Sequence, residues 1–349
     1  MKSKLLHFVC LLLFILSCDK EEEKEIISSP ELQTEQTTHV PDNNFEQALI
    51  DLGYDDVLDD YVITDNIKLV TNLYLANKNI SDLTGIQDFE ALASLNVKNN
   101  LLSNLDISSN TSLTDLDCFN NSLTDLDIST NSALNFLRCG LNNLKMLDVS
   151  SNTDLISLDC LTNNLTSLDV SKNTALTNLD CSYNSLTSLD VNSNTDLILL
   201  DCSSNNLKKL DISKNTALKI LSCFRSQLTS LDVSKNTDLR LLTCSYNFLT
   251  SLDVSTNTDL TSLDCSNNTL NILDVSKNIA LERFICSDNI TMEKLNVKNG
   301  NNTIITLFDA INNINLSCVQ VDDVNYSTTN WMDFVFPYAY PYPFGEDCF

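Results

Sequence analysis

Cysteine recurs every 21 residues, at positions 118, 139, 160, 181, 202, 223, 244, 265 and 286, and no other feature of the chain restricts its fold so tightly. A second apolar column, each member preceded by Leu-Asp, keeps the same interval from Ile107 to Val275. Each unit therefore holds two similar halves, as in "LTSLDVSKNTA" (165–175) and "LTNLDCSYNS" (176–185). A unit this short cannot bury its apolar face alone, so the units must stack into a solenoid with one core column per apolar position. Two N-terminal units centred on Leu75 and Val97, and a looser last one near Ala310, bring the count to about twelve coils. At about 4.8 Å between neighbouring strands, that gives a body on the order of 55 Å long.

The two halves are not equivalent. "LTNLDCSYNSL" fits the leucine-rich-repeat pattern L-x-x-L-x-L-x-x-N-x-L with Cys at the third apolar site, whereas "LTSLDVSKNTAL" is one residue too long. The cysteine half is expected to form a parallel β-sheet on one face. The valine half is expected to be an extended, non-helical return side, because coils of this length leave no room for a helix. Asn121, Asn142, Asn163, Asn184, Asn205, Asn247, Asn268 and Asn289 are placed to close the turns with side-chain hydrogen bonds, which accounts for only five glycines in 349 residues.

This period, with one inward cysteine per coil, resembles the internalin-J-like cysteine-ladder leucine-rich-repeat proteins of bacterial surfaces over residues 90 to 290. The resemblance implies adhesion or protein recognition. "VPDNNFEQALIDLGYDD" resembles the N-terminal cap of such proteins. Asn43 and Glu46 have capping-box spacing, Phe45, Ala48, Leu49 and Leu52 share a helical face, and Gly53 stands where a C-cap belongs. The expected domains are a short helical cap with the first repeat (41–89), the solenoid (90–315) and a C-terminal cap with an aromatic tail (316–349).

Two lysines before an apolar run from Leu5 to Leu16 read as a secretory signal (1–17), and "ILSC" resembles a lipobox that makes Cys18 the lipidated residue. Residues 18–40 read as a disordered tether. Their "DKEEEKE" start resembles the surface-export tag of some bacterial lipoproteins, so the expected location is the outer membrane, lipid-anchored and facing outward. The lipid is then the sole membrane contact.

In-register cysteines about 4.8 Å apart have parallel Cβ vectors, whereas a disulfide needs Cβ atoms converging to about 3.8 Å. The nine therefore read as a buried free-thiol ladder of small apolar side chains. Cys318 and Cys348 lie outside the repeat and are expected to pair with each other in an oxidising compartment. The tail around Trp331 is expected to cover the last coil.

With 47 acidic against 21 basic residues, the chain is not a nucleic-acid binder, since phosphates need cations. After signal removal only His39 remains, in the expected tether, and carboxylates recur without any pair being singled out. No catalytic residues, metal site or cofactor are expected. The row from Asp106 to Asp274 is expected to accept hydrogen bonds from backbone, Ser and Thr; calcium bridging, also suggested by "DDVLDD" at 55–60, is the alternative.

Strand alternation turns the residues just before and just after each cysteine toward the open sheet surface. Most are small or polar. Two groups depart: Phe119, Arg138 and Leu161, and then Tyr183, Phe224, Arg225 and Tyr246, at a place where Ser222, Thr243 and Ser226 replace the usual Asp and Asn. Aromatics and Arg anchor interfaces. The expectation is a monomeric, non-enzymatic surface lipoprotein that binds a protein through this face, with glycan binding and a structural envelope spacer as alternatives.

Overall fold

The computed structural model describes residues 35–331 and 344–348. The expected signal, the lipidation site Cys18, most of the tether and the aromatic segment 332–343 lie outside the described residues. Among the described residues, no helix is long and apolar enough to cross a membrane.

The first element falls inside the segment expected to be tether. Strand β1 (Thr37–His39) pairs antiparallel with β2 (Tyr61–Ile63), and the His39 ring lies 5.2 Å from that of Tyr61. The folded body thus begins before Pro41, and His39 belongs to it. Helix α1 (Asn43–Asp51) follows, capped by Asp42 rather than by a box of Asn43 and Glu46. Asp42 already accepts from the N–H groups of Asn44 and Phe45, at 2.9 and 3.0 Å. Glu46 turns inward instead and takes the N–H groups of Asp59 and Tyr61. Phe45, Ala48 and Leu49 are buried, Leu52 is not, and Gly53 takes the left-handed conformation that ends the helix. Phe45 stacks on Phe89, which closes the N-terminal end of the core.

A short helix α2 (Thr64–Ile67) leads into the coils. Strands β3 (Asn72–Tyr74) and β4 (Ser94–Asn96) precede eight more at 21-residue spacing, from β5 (Asp115–Asp117) to β12 (Ser262–Asp264). Beyond β12 both halves of the coil become strands: β13 (Ile272–Asp274), β14 (Arg283–Ile285), β15 (Lys294–Asn296), β16 (Leu307–Asp309) and β17 (Cys318–Gln320). β14 and β16 complete a twelve-stranded parallel sheet, whereas β13, β15 and β17 form a second sheet on the return side. The return side is otherwise bends and turns, with single 3-10 turns at Ile86–Asp88 and Asn302–Ile304 and no α-helix among the described residues.

In each coil the central strand residue and the cysteine point inward, Leu179 and Cys181 for example, both fully buried. The expected asparagine ladder is present. Asn184 donates Nδ2 to the carbonyls of Cys160 and Cys181, and its Oδ1 accepts from Leu165 N–H in the preceding coil at 3.0 Å. A second ladder, not anticipated from the sequence, runs along the return side. Asn173, fully buried, donates to the carbonyls of Val149 and Asn152 at 2.9 and 2.8 Å, and the other members from Asn131 to Asn278 repeat the pattern. The return-side Asn adds a donor from the next coil to carbonyls that already accept within their own turn, as Val149 does from Asn152 N–H and Asn152 from Leu155 N–H, so stacking is held by polar as well as apolar columns.

The C-terminal end is closed covalently and by aromatics. Helix α3 (Val324–Trp331) places the buried Trp331 ring 4.6 Å from Phe308, which packs on Phe284. Strand β18 (Phe344–Gly345) adds in parallel to β17, and Cys318 is joined to Cys348 by a disulfide. A side chain at Gly345 would stand 2.8 Å from Cys348 Sγ, so only glycine fits beside the bridge.

Candidate functional site

The sheet face is shaped by what happens directly after each cysteine. Residues in that row were expected to face outward with those before the cysteine. The structure corrects this: Gly140, Ser182, Ser203, Ser245, Ser266 and Ser287 are buried, and Phe119, Leu161 and Phe224 are half-buried. The chain bends inward after the strand in these coils, also at Gly140, Ser245 and Ser287, where Arg138, Thr243 and Ile285 stand two residues earlier, and where an aspartate holds that place it bonds the bend. Asp180 Oδ1 accepts from the N–H of Ser182 at 3.0 Å and from its hydroxyl at 2.6 Å, and Asp264 does the same with Ser266. Burial raises the carboxyl pKa of Asp159 and Asp201 in this row.

What projects is the next residue, and in every coil it is left-handed. Leu141, Thr162, Tyr183, Ser204, Arg225 and Tyr246 have φ between 51° and 57°. That conformation disfavours side chains by roughly 1–2 kcal/mol. It persists without glycine because the following ladder Asn bonds the backbone around it, and after Arg225 the Ser226 hydroxyl donates to the Cys202 and Phe224 carbonyls instead. Tyr183, Arg225 and Tyr246 are accordingly exposed.

On the return side, the row from Asp106 to Asp253 behaves as expected of hydrogen-bonded carboxylates. The hydroxyl and the backbone N–H of Ser108 hold the Asp106 carboxyl below its ordinary range, and serine partners do likewise for Asp127, Asp148, Asp169, Asp211, Asp232 and Asp253. Among the described residues no three His, Cys, Asp or Glu side chains converge as a metal site.

The first candidate group comes together as a closed unit. Arg138, in the strand Phe136–Arg138, lies 3.7 Å from an Asp117 oxygen and 3.8 Å from an Asp159 oxygen, with its guanidinium carbon 6.0 Å from the centre of the Phe119 ring. Gly140 makes this possible, since a Cβ there would meet Phe119 Cε2 and Asp159 Oδ1, each at 2.9 Å. Leu161 flanks the same place in the next coil.

The second group is brought together across coils and stays open. Tyr183 and Phe224 meet edge to face at 6.1 Å, over the small Ser203 and Ser204 of the coil between them. Phe224, Arg225, Thr243, Ser245, Tyr246 and Asp264 line a cleft of about 460 Å³. Tyr183, Ser204, Asn206, Arg225, Gln227, Tyr246 and Phe248 are among the residues lining another of about 450 Å³. Arg225 and Tyr246 belong to both. Phe248, Gln227, Ser245 and Asp264 were missed as site residues. Phe248 carried a signal, for it occupies the position after the ladder Asn, where the preceding coils mostly have Ser or Asn.

The turn below Arg225 also differs. With Ser226 in place of Asn, its N–H donates to Asn247 Oδ1 at 3.1 Å, and Gln227 becomes a second left-handed residue, φ 65°. The first coil, which has Lys78 at this position, behaves in the same way: Lys78 N–H goes to Asn100 Oδ1 and Asn79 is left-handed.

Coil length, strand pattern and twin ladders define a leucine-rich-repeat solenoid with a cysteine column. No protein-family model and no curated protein sequence matches the chain. Among solved structures, the functional domain of InlJ from Listeria monocytogenes, which includes a cysteine ladder, is 31% identical with a TM-score of 0.67, over 83% of this chain and 77% of that one. Internalin InlF of the same organism matches at 20% identity and TM-score 0.61, over 81% of this chain and 89% of its own. A leucine-rich-repeat protein of Leptospira interrogans matches at 24% and 0.58, over 68% of this chain and 63% of its own; these two likenesses concern the fold. The chain belongs to the internalin-like leucine-rich-repeat family with a cysteine ladder.

Proposed function

We propose that this protein is a non-enzymatic recognition module, carried on the bacterial surface by a lipid on Cys18, that binds a protein partner through the sheet face. The observation that carries this reading is the convergence of Tyr183, Phe224, Arg225 and Tyr246 from neighbouring coils into one exposed patch with a cleft on each side. Aromatics and Arg at the centre of a surface are the residue types that dominate binding energy. Membership of the internalin-like family supports an interaction or adhesion scaffold, and the repetition of carboxylates coil after coil supports scaffold over active site. The apolar run before Cys18 supports the anchor, and the acidic run after it supports outward display from the outer membrane.

A glycan is the second reading, favoured by the exposed Tyr183 and Tyr246 rings, which could stack on sugars. A purely structural spacer would bind neither. The test is affinity capture with residues 36–349, the compact unit, comparing wild type with the Phe224→Ala/Arg225→Ala variant. A protein retained by the wild type and weakened about tenfold or more by the double variant is the expected result. A saccharide on a glycan array that is lost in Phe224→Ala and Tyr246→Ala favours the second reading, and no ligand in either assay favours the spacer.

A further inference from the structure

The two arginines on the sheet face stand in opposite electrostatic situations. Arg138 sits between Asp117 and Asp159 and is neutralised within the protein. Arg225 has no ion pair or side-chain hydrogen bond among the described residues. The cause is in the sequence, since the acidic row before the cysteines is interrupted at Ser222 and Thr243, the two strand ends nearest Arg225. The row resumes at Asp264, which lines the same cleft as Arg225 and uses only Oδ1, for Ser266. Phe224 and Tyr246 also line that cleft.

One cleft therefore presents an open cation and a carboxylate with a vacant oxygen, together with aromatic rings. Their coils are two steps apart, about 10 Å in a parallel sheet. An anionic saccharide complements only the Arg225 end and is repelled by the Asp264 end. A peptide can complement both.

Resting on the reading that this face meets a protein, we propose that the cleft recognises an extended peptide segment bearing an acidic and a basic side chain two to three residues apart. The acid pairs with Arg225, the base with Asp264, and apolar atoms of the segment pack on Phe224 and Tyr246. Two or three residues of extended chain span about 7–10 Å, which matches the separation of the two coils. A guanidinium that forks onto a carboxylate gives the pairing direction as well as strength.

The test is a displayed library of random 12-residue peptides selected on the wild-type protein, with sialyllactose as the anionic saccharide probe. Selected peptides are expected to be enriched in an acid and a base at that spacing. They are expected to weaken about tenfold or more on Arg225→Met, to be partly retained by Arg225→Lys, and to weaken on Asp264→Asn, whose amide keeps the acceptor for Ser266. Thermal unfolding of each variant checks that the fold is intact. Peptides that are lost on Phe224→Ala yet indifferent to Arg225→Met and Asp264→Asn overturn this inference while leaving the proposed function standing. Sialyllactose binding that depends on Arg225, without peptide binding, overturns both, as does a library yielding no peptide sensitive to Phe224→Ala.

Discussion

A cysteine in this solenoid is a small apolar side chain with one polar use. Cys160, Cys181, Cys202 and Cys265 place Sγ 3.5–3.6 Å from the carbonyl oxygen of the strand in the next coil, within reach of a weak S–H···O bond. All nine thiols are buried and unbridged. Burial pushes the Cys118 thiol up to about 12 and moves the other eight in the same direction. A thiolate is the reactive form, so these groups are chemically silent while the coils are stacked. Titration of residues 36–349 with an aromatic disulfide reagent at pH 8 is expected to label none of the nine in the native protein and all nine in guanidinium. Labelling of native ladder thiols would show that the coils open. The ladder was legible from spacing alone, because a 21-residue interval forces one residue type into one column. The buried serine row was not, because it depends on the chain turning inward after each strand, also at Ser245 and Ser287, where no aspartate stands two residues earlier.

At the scale of the coil, the unit comprising Ile220–Ser222 and the turn after it is intact in its core and altered in its bend. Leu221, Cys223, Leu228 and Leu231 are buried as in every other coil. In the coils on either side, a ladder Asn accepts the N–H of a leucine in the preceding coil, as Asn205 does for Leu186 and Asn247 for Leu228. Ser226 cannot reach that far, and Leu207 N–H is left without this acceptor. Ser226→Asn is expected to restore the bond and raise stability by about 1 kcal/mol, read as a higher urea midpoint. No gain, or a loss, would mean that the Ser226–Gln227 turn is itself the preferred geometry. The replaced Asp and Asn in this coil were readable in the sequence, as was the gathering of Phe224, Arg225 and Tyr246. The contrast between Arg138 and Arg225 left a trace in the sequence, Asp117 and Asp159 near the first and Ser222 and Thr243 near the second, but the pairing itself turns on side-chain distances across three coils. The second sheet near the end was also hidden: its strands are spaced by 22 and then 24 residues, so the register that reveals the repeat is lost there.

Over the whole molecule, a stack of near-identical coils is stable only if both ends are covered, and here each end is sealed differently. α1 and the Phe45–Phe89 pair close one; Trp331, β18 and the Cys318–Cys348 bridge close the other. Between them the coils repeat one surface, which makes the few departures stand out. The proposed partner meets the patch around Phe224 rather than the solenoid surface in general. Site-specific photo-cross-linking in intact cells tests it most directly, with a benzophenone amino acid at position 224 or, as control, at Met146, which is 75% exposed on the return half. A discrete protein adduct is expected from position 224 and none from position 146. Adducts from both positions alike, or from 146 alone, would mean that the patch around Phe224 is not the meeting place.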